Sequence, residues 1–108
     1  MSSIIQIEHP GIILQEEFLE PLDLTPYKVH KATGISQTAL GEILKGKRRI
    51  SASNGLKLAK YFGLSDDYFV KIQMQYDLDK EREKSKKTLS RIVPFRSKDS
   101  SSNRNLEI

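Results

Sequence analysis

The stretch YKVHKATGISQTALGEILKGKRRIS, residues 27–51, decides the fold. It contains two short helical patterns separated by Gly34, Ile35 and Ser36, which is the sequence shape of a helix-turn-helix. Gly34 tolerates the left-handed backbone with which a chain leaves one helix and enters the next at a steep angle. Ile35 is placed to pack between the two helices, and Ser36 is a good N-cap for the second one.

The second helix of this motif has one apolar side and one side that carries little bulk. At about 100° per residue, the apolar side collects Ser36, Ala39, Leu40, Ile43 and Leu44. The opposite side carries Thr38, Gly41, Glu42 and Lys45, with Gln37 at its edge. Short polar side chains on an outward helix face suit the major groove of DNA, where glutamine, threonine and lysine can reach base edges.

Four basic residues follow within five positions at the end of that helix: Lys45, Lys47, Arg48 and Arg49. A cluster of this kind beside the groove can hold phosphates, which fixes the register on DNA without reading its sequence. Ser36, at the other end of the helix, is assigned to the phosphate contacts as well. The alternative is an ordinary amphipathic surface helix, and the basic cluster favours DNA binding over it.

The charge of the chain alternates in four blocks. The 108 residues carry a net charge of +4, with a pI of about 9.4. Residues 1–24 sum to −5, residues 25–63 to +7, residues 64–79 to −3 and residues 80–108 to +5. An excess of Lys and Arg in a compact segment is an electrostatic footprint for polyanions.

Helix caps at regular intervals predict an all-α fold with five helices. The first is expected from His9 or Pro10 to about Glu20, the second from the Thr25 cap to Gly34, the third from Ser36 to Gly46, the fourth from the Ser51 cap to Gly63, and the fifth from a Ser65 cap followed by Asp66 and Asp67. We predict an N-terminal arm in residues 1–8, a helix-turn-helix DNA-binding and dimerisation domain in residues 9–84, and a basic flexible tail in residues 85–108.

Composition excludes several kinds of chemistry. The chain has no cysteine, which removes thiolate metal sites, disulfides and thiol catalysis. His9 and His30 match no metal spacing, and Glu16 and Glu17 are neighbours that point about 100° apart, which disfavours a catalytic carboxylate pair. We therefore predict no enzyme, cofactor, metal or small-molecule substrate. The longest apolar run, residues 12–14, is too short for a membrane span, and we expect a soluble cytoplasmic protein.

The sequence GISQTALGEILKGKRRIS, residues 34–51, resembles the core of the lambda-repressor-like, or XRE-type, helix-turn-helix family. The flanks HPGIILQEEFLEPLDLTPYKVHKATG, residues 9–34, and LKLAKYFGLSDDYFVKIQMQYDLD, residues 56–79, are similar to the HigA family of antitoxins, also known as VapI-like. The resemblance covers about residues 8–79. It implies that Gln37, Thr38 and Glu42 face the bases, and that Lys45, Lys47, Arg48 and Arg49 contact the DNA backbone.

Four positions depart from the family pattern. His30 stands where a small alanine is usual, Thr33 where a larger apolar residue is common, and Ile12 where an acidic residue is expected. Gly41 takes a place where asparagine is frequent. Because glycine reads no base and loosens a helix by roughly 1 kcal/mol relative to alanine, its expected compensation is a closer approach to the DNA.

The fifth helix is apolar on two separate sides. Phe69, Ile72 and Tyr76 form one stripe, and Val70, Met74 and Leu78 form the other. One stripe is enough to attach a helix to its own small core, so the second needs another partner. That partner is either the rest of the chain or a second copy, and a second copy would place two recognition helices on a palindrome. The resemblance also implies dimerisation in this region.

Three functions remain in competition. The favoured one, implied by the resemblance, is an antitoxin that neutralises a small HigB- or RelE-like mRNA-cleaving toxin and represses its own operon. The acidic face of the first helix, with Glu16, Glu17 and Glu20, and the tail are candidate toxin contacts. The alternatives are a stand-alone repressor of phage type and a helical adaptor whose basic block binds an acidic protein or RNA.

Overall fold

The computed structural model describes residues 8–95, which fold entirely into helices and loops. In chain order the elements are α1 (Pro10–Ile13), a π-helical turn (Leu14–Leu19) that continues α1, then α2 (Pro26–Thr33), α3 (Gln37–Leu44), α4 (Ala52–Phe62), α5 (Tyr68–Lys84) and α6 (Lys86–Ser90). Within residues 8–95 there is no strand, and the all-α prediction is confirmed. Apart from Glu8, the predicted N-terminal arm lies outside the described residues, as do residues 96–108 of the predicted tail.

Three of the predicted helix caps form as expected. The hydroxyl oxygen of Thr25 accepts the N–H of Lys28 at 3.1 Å, and Pro26 occupies the first position of α2. Ser36 and Ser51 cap α3 and α4 in the same way, through N–H groups three residues further on. Each cap satisfies one of the backbone donors that the first turn of a helix leaves unpaired, so the hydroxyl residues fix where these helices begin.

The predicted start of the fifth helix is wrong by two residues, because α5 begins at Tyr68 and its N-cap is Asp67 instead of Ser65. The Ser65 hydroxyl donates to the Asp67 carboxylate at 3.0 Å and does not accept a helix N–H. The N–H of Tyr68 donates to the Ser65 carbonyl at 3.0 Å, which closes a turn ahead of the helix. Ser65 therefore belongs to this turn, and α5 starts after it, with Asp67 in the N-cap position.

The structure also shifts two boundaries near the functional segments. Helix α3 ends at Leu44, two residues before the predicted Gly46. Residues 86–90, predicted as part of a flexible tail, form the short helix α6, which adds a sixth helix to the five predicted. The apolar side chains after α6 are exposed, with Phe95 fully so.

The first helical segment widens into a π-helical turn that the sequence pattern did not predict. The Glu20 N–H donates to the Gln15 carbonyl at 2.9 Å, and the Leu24 N–H to the Leu19 carbonyl at 2.8 Å, five residues back in both cases. Leu14 and Leu19, also five residues apart, are both completely buried. The wider turn therefore brings both leucines onto the core side of the same segment.

The core lies between the first helical segment, α3, α4 and α5. Phe18 packs its ring against Phe62, Tyr68 and Phe69, with ring centroids 4.9–5.9 Å apart. Helices α4 and α5 meet at the buried Gly55, where an added Cβ would lie 3.2 Å from Cγ2 of Val70. The buried apolar residues are Leu14, Leu19, Val29, Ile35, Ala39, Leu40, Ile43, Ile50, Leu58, Ala59 and Phe69.

Candidate nucleic-acid interface

Helix α3 lies with its apolar side in the core and its polar side outward, as predicted. Leu40 and Ile43 are completely buried, whereas Gln37, Thr38 and Lys45 are exposed. Gly41 and Glu42 on the same flank are partly exposed, and Arg48 lies against Glu42. Ser36 is a correction, because the helix projection put it on the buried side and it is exposed as the N-cap, where its hydroxyl accepts the N–H of Ala39 at 3.0 Å.

The turn that sets the angle of α3 is held by two residues that depart from the family pattern. Nδ1 of His30 lies 2.6 Å from the Ile35 carbonyl oxygen, and the Thr33 hydroxyl accepts the Ile35 N–H at 3.2 Å. The same hydroxyl donates to the Val29 carbonyl at 2.7 Å. Gly34 has φ of +84°, the left-handed conformation predicted for it. The polar side chains of His30 and Thr33 therefore stabilise the turn of the motif.

Gly41 leaves an open surface in the middle of the outward flank. A Cβ built at this position would have no heavy atom within 4 Å. A methyl group therefore fits within the isolated chain, and no intramolecular contact requires glycine here. The lack of bulk at Gly41 fits a flank that a large partner approaches closely.

The end of α3 is fixed by a Schellman motif. The N–H of Lys47 donates to the Glu42 carbonyl at 2.8 Å, and the N–H of Gly46 donates to the Ile43 carbonyl at 3.0 Å. Gly46 takes the left-handed conformation that this motif requires, with φ of +76°. The motif ties the start of the basic loop to the helix backbone, so Lys45 and Lys47 project from a defined position.

The predicted DNA-contacting residues differ in whether they already have partners. Arg48 forms an ion pair with Glu42, with Nη2 and Oε1 2.6 Å apart, so a predicted phosphate contact and a predicted base contact hold each other. Both side chains are about half exposed, and a pair of this kind contributes at most about 1 kcal/mol. Lys45 and Lys47 are exposed and form no ion pair among residues 8–95.

A buried polar connection between the basic loop and α5 was missed by sequence reasoning. Gln73 is almost completely buried, and its Oε1 accepts the N–H of Ile50 at 2.8 Å. Its Nε2 donates to Oδ1 of Asp77 at 2.9 Å, and Arg49 pairs with the other oxygen of that carboxylate. Gln73 lies four residues after Phe69 and four before Asp77, so a polar residue on the buried face of α5 was the available signal.

The charge of Asp77 is stabilised by these partners. Burial raises the pKa of the carboxyl, but the hydrogen bond from Gln73 and the guanidinium of Arg49 outweigh it and bring the pKa below its ordinary value. Asp77 therefore stays ionised at neutral pH and holds Arg49 against α5. Of the four basic residues at the end of α3, Arg48 and Arg49 form ion pairs with other residues of the chain. Lys45 and Lys47 form no ion pair with any residue in 8–95.

The start of α1 lies directly against the end of α3. A Cβ built on Gly11 would lie 1.7 Å from the carbonyl oxygen of Ile43, so the two backbones touch there. His9 caps α1, with Nδ1 accepting the N–H of Gly11 at 2.9 Å. Its ring also packs edge-on against Tyr76, with the ring centroids 5.1 Å apart. The first residues of α1 thus support the position of α3 and α5 at once.

The cap at His9 predicts a dependence of stability on pH. Burial lowers the pKa of His9 below its ordinary value of 6.5, and the nearby Asp77 opposes this only in part. The unfolded chain therefore takes up the proton first, so the free energy of unfolding is expected to fall as the pH decreases below about 6.5. Protonation also removes the ring nitrogen that accepts the Gly11 N–H. Urea unfolding of the wild type between about pH 7.5 and 5 measures this slope.

The matched control is His9→Asn, because asparagine is a good N-cap that does not titrate in this range. Its baseline stability is expected to be lower, since the ring contact with Tyr76 is lost. Its slope between about pH 6.5 and 5 is expected to be shallower than that of the wild type. Equal slopes in the two proteins would show that His9 is not the titrating group.

The second apolar stripe of α5 is only partly exposed to solvent. Met74 and Leu78 are 58% and 44% exposed, and no described part of the chain covers them. Val70, predicted with them, is half-buried and lies beside Gly55 of α4, so part of its surface belongs to the core of the chain itself. The exposed part of the stripe is therefore centred on Met74 and Leu78.

Within residues 8–95, no helix combines the length and apolar character needed to span a bilayer. The same residues bring together no group of three or more His, Asp or Glu side chains that could hold a metal ion. The candidate nucleic-acid interface is the outward flank of α3 together with the basic loop that follows it.

Comparison with known proteins agrees with this geometry. Residues 16–69, half of the chain, match the helix-turn-helix family HTH_3. Virulence-associated protein I of Dichelobacter nodosus is 36% identical over 100 residues, which cover 93% of this chain and 88% of that protein. The structure is similar to that of Pseudomonas aeruginosa antitoxin HigA with the higBA promoter, with 30% identity, a TM-score of 0.78 and coverage of 83% of this chain and 99% of that one.

A second solved structure gives the same result. An addiction module antidote protein of the HigA family from Coxiella burnetii is 32% identical, has a TM-score of 0.77 and is matched over 84% of this chain and 100% of its own. The resemblance to HigA- and VapI-like proteins is thereby confirmed. The prediction that the chain is not an enzyme agrees with these relatives. The chain belongs to the XRE-type helix-turn-helix family of DNA-binding regulators, and its structural neighbours include HigA antitoxins.

Proposed function

We propose that this protein is the antitoxin of a toxin–antitoxin pair and that it represses its own operon in the cytoplasm as a dimer on a palindromic operator. The observation that carries the DNA-binding part is the outward polar flank of α3, which is followed by a basic loop held in a fixed position. The similar Pseudomonas aeruginosa HigA, solved with its promoter, supports the same part of the proposal.

In this proposal the outward flank of α3 reads the bases through Gln37, Thr38 and Glu42. The phosphates are held by Ser36, Lys45, Lys47, Arg48 and Arg49. Glu42 and Arg48 must first exchange their ion pair for DNA contacts. A half-exposed surface pair contributes little, so phosphate and base edges can replace it at small cost. Gly41 would let the helix backbone approach the base pairs.

The DNA-binding part predicts two different classes of binding defect. Lys45→Ala with Lys47→Ala is expected to weaken binding to every duplex and to lower the salt slope of the logarithmic affinity by nearly 2, because each lost phosphate contact removes roughly 1. Gln37→Ala is expected to cost roughly 1–3 kcal/mol on the operator alone. Titration of a duplex from the upstream region and of a random duplex, over a range of salt concentrations, measures both effects. Equal losses on the two duplexes for Gln37→Ala would refute base reading by this side chain.

The dimer is proposed to form through the exposed stripe of α5, with Met74 and Leu78 at its centre and Val70 at its margin. Two copies would present two α3 helices to half-sites about 34–36 Å apart. Met74→Lys with Leu78→Lys is expected to give a monomer in sedimentation experiments and to weaken operator binding. A variant that stays dimeric would place the interface elsewhere.

The antitoxin part rests on the resemblance to HigA proteins and predicts a small mRNA-cleaving toxin as partner. We propose that the acidic face formed by Glu16, Glu17 and Glu20 contacts this basic toxin. All three residues are exposed and form no ion pair among residues 8–95. Co-expression with the neighbouring reading frame is expected to relieve its toxicity. If the product of the neighbouring reading frame is harmless, or if it stays toxic when this protein is co-expressed, the result would favour the stand-alone repressor.

A further inference from the structure

We propose that this chain carries a second contact between its own copies, in which an acidic corner of one copy docks into a basic groove of another. The contact is distinct from the α5 stripe and forms without DNA or a toxin. Because the acidic corner includes the proposed toxin face, a bound toxin would displace the second copy from it. It rests on two exposed surfaces that are complementary in charge, and the charged residues of both form no ion pair among the described residues.

The basic groove lies between α2 and α4 and has a volume of about 530 Å³. Leu56 and Tyr61 form its apolar part, and they are 49% and 38% exposed. Lys57 and Lys60 flank these side chains. A groove that leaves a leucine and a tyrosine open to water between two cations fits a protein segment with an apolar side chain and carboxylates.

The charge of this surface is uncompensated. Helices α2 and α4 together carry four lysines and no carboxylate. The four are exposed, and none of them forms an ion pair within residues 8–95: Lys28, Lys31, Lys57 and Lys60. The loop that follows α4 carries Asp66 and Asp67, of which Asp67 pairs with Lys71 of α5. An acidic partner would therefore find no competing carboxylate on the two helices that form the groove.

The acidic corner is formed by the end of the first helical segment and the loop before α2. It consists of Glu16, Glu17, Glu20 and Asp23 around Leu22, whose side chain is 57% exposed. Glu16 and Glu20 are four residues apart, which places them close to one face. No basic residue occurs in residues 1–24, so the corner has no cation of its own segment to pair with.

The two surfaces match in composition. The corner offers four carboxylates around one exposed leucine, and the groove offers an apolar floor between lysines. Since both surfaces are exposed in the same folded chain, they do not satisfy each other within one copy. A second copy supplies both missing partners. Because the two patches differ, the contact is head-to-tail, and it can join successive dimers along DNA without closing on itself.

Nucleic acid is the less suitable occupant of this groove. Lys57 and Lys60 lie six and nine residues after the cap Ser51, which is about 9 and 14 Å along α4 from the end that adjoins the basic loop. Phosphate would bind the lysines but would leave Leu56 and Tyr61 in water. A segment such as the one around Leu22 covers them.

The test is sedimentation of the full-length chain without DNA, at about 0.05 M and about 0.5 M salt. At the lower salt concentration we expect species larger than the α5 dimer, and at the higher one we expect them to disappear. If α5 does not form a dimer, the same comparison is made with the monomer. An apolar α5 contact would not show this salt dependence, so failure of one contact is distinguishable from failure of the other. A wild type whose size is the same at both salt concentrations overturns the proposal.

Charge-reversal variants test whether the groove and the corner form the contact. Lys57→Glu with Lys60→Glu reverses the groove, and Glu16→Lys with Glu17→Lys and Glu20→Lys reverses the corner, whose four charged residues then sum to +2 instead of −4. Each variant is expected to associate roughly a hundredfold more weakly with itself, because like charges then face each other. An equimolar mixture is expected to recover the contact, since the acidic groove meets the basic corner and the two unaltered surfaces also match.

Two further variants serve as controls. Lys80→Glu with Lys84→Glu makes the same change of net charge on α5, away from the groove, and is expected to leave the association unchanged. Leu22→Ser is expected to weaken it without a change of charge. Circular dichroism verifies the fold of each variant. Loss of operator affinity in the groove variant with unchanged association would assign the groove to nucleic acid and refute the proposal.

Discussion

Replacement of Gly11 by alanine is expected to lower the free energy of unfolding by about 1–3 kcal/mol, the usual range for overpacking a tight contact. The added Cβ would lie 1.7 Å from the carbonyl oxygen of Ile43, and a backbone oxygen cannot move aside as a flexible side chain does. Either α1 or the end of α3 must shift. Because α3 carries the proposed base contacts and ends at the basic loop, the same substitution is expected to weaken operator binding.

Gly41→Ala is the matched control, since it adds the same methyl group to open space. In the isolated chain it is expected to raise the free energy of unfolding by up to about 1 kcal/mol, because alanine favours a helix over glycine. Urea unfolding of the two variants measures the contrast. A Gly11→Ala protein as stable as the wild type would show that the contact between α1 and α3 can relax, and would remove Gly11 from the support of α3.

The same pair of variants separates stability from DNA contact. If the flank of α3 lies against base pairs, Gly41→Ala is expected to bind the operator more weakly although its fold is at least as stable. The Gly11→Ala protein is expected to lose both properties together. An unchanged operator affinity for Gly41→Ala would mean that the centre of the flank is not in close contact with DNA.

The helix-turn-helix could be predicted because its determinants are local. Thr25, Ser36 and Ser51 cap the helices that follow them, and Gly34 provides the left-handed residue of the turn. Each of these preferences depends on the backbone within three residues, so one sequence contains the information. The Ser65 prediction failed although its signal is also local, because residues 65–68 close a separate turn in which the Tyr68 N–H donates to the Ser65 carbonyl.

The contacts that hold α3 and the basic loop in position could not be predicted in this way, because they join segments that are distant in the sequence. Gly11 and Ile43 are 32 positions apart, and Gln73 lies 23 positions from the Ile50 N–H that it accepts. The π-helical turn likewise depends on the burial of both Leu14 and Leu19 against other helices. Such features follow from tertiary packing, and a helical projection of one segment at a time does not contain them.

The buried amide of Gln73 provides the second large expected effect. Gln73→Leu is expected to lower the free energy of unfolding by about 1–3 kcal/mol, because the Ile50 N–H is buried and would lose its acceptor. Leucine fills most of the volume but cannot accept a hydrogen bond. The substitution also removes the donor to Asp77, so Arg49 would lose part of its support on α5. Urea unfolding and operator titration measure the two consequences.

Asp77→Asn separates the buried hydrogen bond from the exposed ion pair. Asparagine can still accept from Nε2 of Gln73, whereas the charge attraction to Arg49 is lost. Because Arg49 and Asp77 are both well exposed, this variant is expected to lose at most about 1 kcal/mol. If Gln73→Leu lowers the free energy of unfolding no more than Asp77→Asn does, the hydrogen bond from the Ile50 N–H to Gln73 does not hold the basic loop in place. Its position would then depend on the Schellman motif at the end of α3, where the Lys47 N–H reaches the Glu42 carbonyl.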